Sequence, residues 1–181
     1  MLLFDASTLI LLAKTELLDS FLDDFKDKIL ITREVEDECC RKQQALDSLI
    51  IQEAIKDKRI AVKTLKSRGL YQKLRTDFSI GHGEAQTLAL ALAQKSVLVA
   101  IDDRRGIKAC KLLKIPFVTA IDIVVRLKEK QILSKEQALA KVDALARHGR
   151  YSDEIISRVK ANFEAKKNDQ DNEHSDGPGQ L

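Results

Sequence analysis

Four places in the chain put carboxylates where a buried segment ends or a helix begins. Asp5 closes the apolar run Leu2-Leu3-Phe4 and precedes Ala6-Ser7-Thr8. Asp102 and Asp103 close Val97-Leu98-Val99-Ala100-Ile101 in the same way. Glu84 follows Gly81-His82-Gly83 and heads a segment rich in Ala and Leu. The fourth place is Arg33-Glu34-Val35-Glu36-Asp37-Glu38-Cys39, which offers four acids. Read as a helix, its buried face is marked by Val35, Cys39 and Leu46. At about 100° per residue, Asp37 points nearly opposite Val35, whereas Glu38 lies about 60° from it, beside Cys39. Glu38 is therefore the acid expected to point inward, and the other three are expected on a solvated face.

Carboxylates brought together repel one another and hold their protons more tightly unless a cation sits among them. Hard divalent ions such as Mg²⁺ and Mn²⁺ take oxygen ligands and keep several waters. A site of that kind suits the hydrolysis of phosphodiesters, because the cation stabilises the attacking and leaving oxygens. Each acid also has a plainer use. Asp5 can cap a helix, and Glu84 suits a first helical turn because the helix dipole favours it. Glu84, however, shares a face with Leu88 and Ala91 at i+4 and i+7, so its charge needs a partner.

The elements that would carry these acids can be read from the apolar pattern. Leu2-Leu3-Phe4, Ile29-Leu30-Ile31, Val97 to Ile101 and Ile115 to Val118 read as short strands, with another at Arg59 to Lys63. Between them lie helical patterns. Ser7 is the expected cap of the first, and the next covers Glu16 to Phe25. Thr32 is the expected cap of a helix over Arg33 to Leu46. Further helices are expected over Glu84 to Lys95, Gly106 to Leu113 and Ile121 to Lys130, with His82 left in a loop. Alternating strands and helices predict an α/β/α fold with a central parallel sheet covered on both faces. Ligands then bind beyond the carboxyl ends of the strands, where Asp5 and the Asp102-Asp103 pair both fall. From Ser134 only helical patterns remain. One is opened by Ser134 and Gln137 in a capping-box arrangement and broken at Gly149, and another runs from Ser152 to Ala165. This divides the chain into an α/β domain over 1–132, a C-terminal helical hairpin over 133–165 and a disordered tail over 166–181.

The totals fit one ordinary domain of 181 residues, 33% charged and 44% hydrophobic, with no apolar run long enough to span a membrane. No signal peptide is visible, and a cytoplasmic location is expected. Three cysteines, with Cys39 and Cys40 adjacent and Cys110 apart, suit free thiols and form no zinc pattern with the three histidines.

The stretches FDASTLILLAK, ITREVEDEC, GHGEAQTLALALA and VLVAIDDRRG, in this order and spacing, resemble a PIN domain, and in particular the prokaryotic branch found as toxins of toxin–antitoxin pairs. The resemblance covers residues 1 to 132, and PFVTAIDIVVRLKEKQILS with the helices after it is also similar to that branch. It implies a Mg²⁺- or Mn²⁺-dependent endoribonuclease. The family acids fall on Asp5, Glu38, Glu84 and the Asp102-Asp103 pair, with Asp102 as the primary member of the pair and Ser7 as supporting hydroxyl. Asp5, Glu84, Asp102 and Asp103 are the implied metal ligands. Similar proteins often carry Arg just after the small residue at Gly106, where this chain has Ile107. The resemblance also implies an antitoxin partner and a homodimer. The rival reading is a PIN-fold module that binds RNA or protein with little catalysis.

An acidic site repels a polyanion, so a nuclease needs cations beside it. Arg104 and Arg105 follow the acidic pair directly and are the expected RNA-binding residues. Lys56, Lys58, Arg59, Lys63, Lys66, Arg68, Lys73 and Arg75 make a second basic stretch broken only by Asp57. Aromatic residues are only 4% of the chain, so an extended base-stacking platform is not expected.

Overall fold

The computed structural model describes residues 1–40, 45–65, 68–94 and 97–165. Five parallel strands form one sheet in the order β3-β2-β1-β4-β5: β1 Leu2–Phe4, β2 Ile29–Thr32, β3 Ala61–Lys63, β4 Leu98–Ala100 and β5 Phe117–Val118. β1 is paired with β2 on one side and with β4 on the other, Phe4 opposite Ala100. Strand residues alternate between two cores. Leu2, Phe4, Ile29, Ile31 and Ala100 face one, and Leu3, Leu30, Val99 and Ile101 face the other. Burial on both faces explains why the strands read as unbroken apolar runs.

Ten helices cover the sheet among the described residues. α5 Arg68–Phe78, α6 His82–Leu92 and α7 Arg104–Leu113 pack on the Leu3 side through Leu74, Ala85, Leu88, Ala109 and Cys110. The other face is covered by α1 Ala6–Lys14, α2 Leu18–Asp24, α3 Arg33–Cys40, α4 Leu46–Lys56, α8 Ala120–Glu129, α9 Lys135–His148 and α10 Asp153–Ala165. The fold is the expected α/β/α arrangement.

Ser134 caps α9 in the expected capping box with Gln137, and α9 and α10 form the helical hairpin. Val142, Leu145, Ile156, Val159 and Phe163 belong to the same buried cluster as Leu9 and Phe4.

Several local expectations are corrected. Asp5, not Ser7, is the N-cap of α1. α3 is described over Arg33–Cys40, residues 41–44 of the expected helix lie outside the described residues, and Leu46 opens α4 with 71% of its surface exposed, so it marks no buried face. His82 is the first residue of α6 rather than a loop residue. α4 and α5 were not expected as separate helices. Within the second basic stretch, Arg59 is bound to Asp19 at 2.8 Å and to Asp23, tying α2 to the turn before β3. Lys66 and the tail from 166 lie outside the described residues.

Candidate active site

The chain runs outward from β1 through β2 to β3, then returns past β1 to β4. β1 and β4 are thus neighbours at the topological switch point, where open α/β sheets leave a crevice beyond the strand ends. Asp5 and Asp102 follow those two strands. The Asp5 backbone N–H donates to the Ala100 carbonyl at 3.0 Å, which continues the β1–β4 ladder to the edge of the crevice. The Asp5 side chain is fully buried. It accepts from the Thr8 backbone N–H at 2.9 Å and from the Ser7 hydroxyl at 2.5 Å. Burial pushes its carboxyl up to about 7, against the opposing pull of the Ser7 and Thr8 hydrogen bonds, and the Asp102 charge adds to the rise.

Asp102 is half-buried and accepts from the Ala120 backbone N–H at 3.0 and 3.2 Å, at the start of α8. It also accepts from the Tyr151 hydroxyl. Burial raises its pKa too. The fully buried Thr8 hydroxyl favours the charged forms of both Asp5 and Asp102, yet it has no partner at hydrogen-bonding geometry.

The other three acids surround the start of α6. Glu84 accepts from the Gly81 N–H at 2.8 Å. Its pKa is raised, first by burial and then by the charges of Asp103 and Glu38, with Arg105 pulling the other way. Asp103 caps α7, accepting from the N–H groups of Arg105 at 2.8 Å and Gly106 at 3.2 Å. Glu38 accepts from the Gly83 N–H at 3.1 Å and so reaches α6 from α3, though its side chain is otherwise exposed. The expectation that Glu38 alone points inward is therefore corrected: Glu38 is exposed whereas Glu34 and Glu36 are half-buried, and its tie to the neighbouring layer is the one hydrogen bond to the start of α6.

Four helix N-termini meet here. α1 points its first N–H groups at Asp5, α6 at Glu84 and Glu38, α7 at Asp103 and α8 at Asp102. Each brings a partial positive charge, which makes the gathering of acids tolerable. Gly83 permits the close approach of Glu38: a Cβ there would lie 2.9 Å from its carboxylate oxygen. Gly83→Ala is expected to push the flexible Glu38 carboxylate off α6 with little change in melting temperature. If Glu38 serves the reaction, turnover falls about tenfold. Unchanged turnover would remove Glu38 from the site.

A cleft of about 300 Å³ opens over these groups, lined by Glu84, Asp102, Asp103 and Ser7. It is also lined by Lys14 from α1, by His148 at the end of α9 and by Arg150 from the α9–α10 loop. The sequence reading missed these side chains and Tyr151. Lys14 had a signal, because Ser7, Leu11 and Lys14 stand at i, i+4 and i+7 on one helical face. Arg150 and Tyr151 had none locally. Arg104 and Arg105 are exposed at the start of α7, beside the acids. Ile107 packs against the core on the Leu3 side. The thiols of Cys39 and Cys110, both near Asp5, are buried and pushed up, Cys110 to about 12, so neither is a ready nucleophile.

Among the described residues, no three His, Cys, Asp or Glu side chains form a ready-made ion cage. The donor chemistry nevertheless fits a hard divalent cation. Every candidate donor is oxygen, and burial raises the pKa of Asp5, Glu84 and Asp102, a penalty that a cation among them would offset.

A parallel, doubly wound sheet with acids gathered at its switch point and helix starts trained on them defines an acidic-cleft α/β domain. Its family is shown by comparison. A family model described as a PIN domain matches residues 1–165, and the chain belongs to the PIN-domain family. PIN domains are generally nucleases and generally depend on a divalent metal ion. No curated protein and no solved structure gives a significant match to the chain. Among the described residues no helix is long and apolar enough to cross a membrane.

Proposed function

We propose that this chain is a metal-dependent endoribonuclease that hydrolyses RNA phosphodiesters in the switch-point cleft. The observation that carries the reading is the fully buried Asp5 carboxyl, pushed up to about 7, beside Asp102, which lines a cleft together with Glu84 and Asp103. Asp5, Glu84, Asp102 and Asp103 would hold Mg²⁺ or Mn²⁺, which when bound supplies charge stabilisation to the scissile phosphate. Ser7 fixes the Asp5 carboxylate through its 2.5 Å hydrogen bond. Glu38 adds a carboxylate at the α6 side of the site. Arg104 and Arg105 on one rim, with Lys14 and Arg150 lining the cleft, hold the RNA phosphates against the repulsion of the acids.

The nuclease body is read as residues 1–132 and the helical hairpin as an extension over 133–165. As in the toxin branch that the chain resembles, the partner would be an antitoxin that presents a basic side chain to the acids, and the working unit a homodimer.

The test is cleavage of a mixed structured RNA by purified protein, beside the Asp5→Ala/Glu84→Ala double variant. Cleavage by wild type alone is expected. Equal cleavage by the double variant, or none by wild type, would overturn the reading and leave a module that binds RNA or protein.

A further inference from the structure

The C-terminal hairpin reaches into the site through one hydroxyl. Tyr151, in the loop between α9 and α10, donates its hydroxyl to Asp102 Oδ1 and accepts the Ile121 backbone N–H at 3.3 Å. The neighbouring Ala120 N–H binds the same carboxylate. Asp102 is therefore gripped between the start of α8 and a side chain 49 positions further along the chain. The grip is built into the fold. Gly149 packs so closely that a Cβ there would lie 2.9 Å from the Tyr151 ring and 2.8 Å from the Leu145 carbonyl. The ring itself packs against the core that holds Leu145 and Ile156. Gly149 and Arg150 of the same loop, with His148 at the end of α9, line the cleft beside Asp102.

We propose that Tyr151 is a positioning residue that orients Asp102 for the reaction, so that the α9–α10 hairpin is a working part of the site. The inference rests on the nuclease reading above. The phenol is well suited to this. Accepting the Ile121 N–H leaves its own proton directed at the carboxylate, which fixes the rotamer of Asp102, with the phenol on Oδ1 and the Ala120 N–H at 3.0 Å from Oδ2. Partners that orient metal-binding carboxylates in this way are typically worth 10–100-fold in metal affinity or activity.

Tyr151→Phe keeps the ring and removes only the hydroxyl. Gly149→Ala keeps the hydroxyl and pushes the ring. Both are compared with wild type for kcat and KM on RNA, and for binding of Mn²⁺ alone by titration without substrate. The expected result is a fall in kcat of about tenfold in Tyr151→Phe with KM nearly unchanged, Mn²⁺ half-saturation about tenfold higher, and a loss in the same direction in Gly149→Ala. A Tyr151→Phe protein that matches wild type in kcat and Mn²⁺ binding would overturn the inference while leaving the nuclease reading intact. So would one whose only change is a lower melting temperature. A wild type that neither cleaves RNA nor binds Mn²⁺ would overturn both.

Discussion

Asp5→Asn is expected to abolish cleavage and, at pH 8, to raise the melting temperature. Removing an acid from a folded core commonly costs stability, but here the sign is reversed. The folded pKa of Asp5 is about 7 against an ordinary value of 3.8. Below 3.8 the carboxyl is protonated in both folded and unfolded chains, and it neither helps nor hurts. As pH rises, the unfolded chain releases its proton first, so stability falls through this window and the full penalty is present above pH 7. The penalty is at most about 4 kcal/mol, from roughly three pKa units at 1.36 kcal/mol each. Asn keeps an oxygen for the Thr8 N–H and can donate to the Ser7 hydroxyl, so the cap survives. Thermal melts of both proteins at pH 4 and pH 8, without divalent metal, are expected to agree at the lower pH and to separate by several degrees at the higher. A variant less stable than wild type at pH 8 would sink the argument from buried charge, and one that still cleaves would remove Asp5 from the reaction.

The second large effect is that of the metal itself. Chelation with EDTA is expected to stop cleavage, and Mn²⁺ to restore it. The same ion should stabilise wild type at pH 8, because a cation among the acids replaces repulsion with attraction. At a concentration of 100 times its dissociation constant, one bound ion contributes about 2.7 kcal/mol. At pH 6 Asp5 holds a proton that the ion must displace, so stabilisation shrinks as pH falls. Asp5→Asn should show little of it at either pH. Cleavage that persists in EDTA would refute the metal requirement outright.

These acids were legible in the sequence because each sits at a boundary that local chemistry marks. An apolar run that stops at an aspartate gives β1 with Asp5, and β4 with Asp102. Helical angle singled out Glu38 among four neighbours as the inward one, whereas its side chain is exposed and reaches α6 only through the Gly83 N–H. α4 and α5 were lost for opposite reasons. Leu46 continued the apparent face of α3 and was read as its end, whereas it opens α4 with its side chain in solvent. In α5 the only fully buried side chain among the described ones is Leu74, too little apolar signal to outweigh the basic residues around it. The Tyr151 contact lay beyond reach for another reason. Its partner is fixed by how a helical hairpin folds back, and no spacing of residue types encodes that distance.

The same hairpin sets an order of events during synthesis. Asp5 is translated well before Ala100, and its backbone waits for that residue before the β1–β4 ladder can close. Asp102 then waits for Tyr151, and the cleft for Arg150. Contacts so far apart in the chain form late, because loop closure must come first. A chain that stops short of the α9–α10 loop therefore carries the acids but lacks the wall formed by His148, Gly149 and Arg150 and the Tyr151 contact to Asp102.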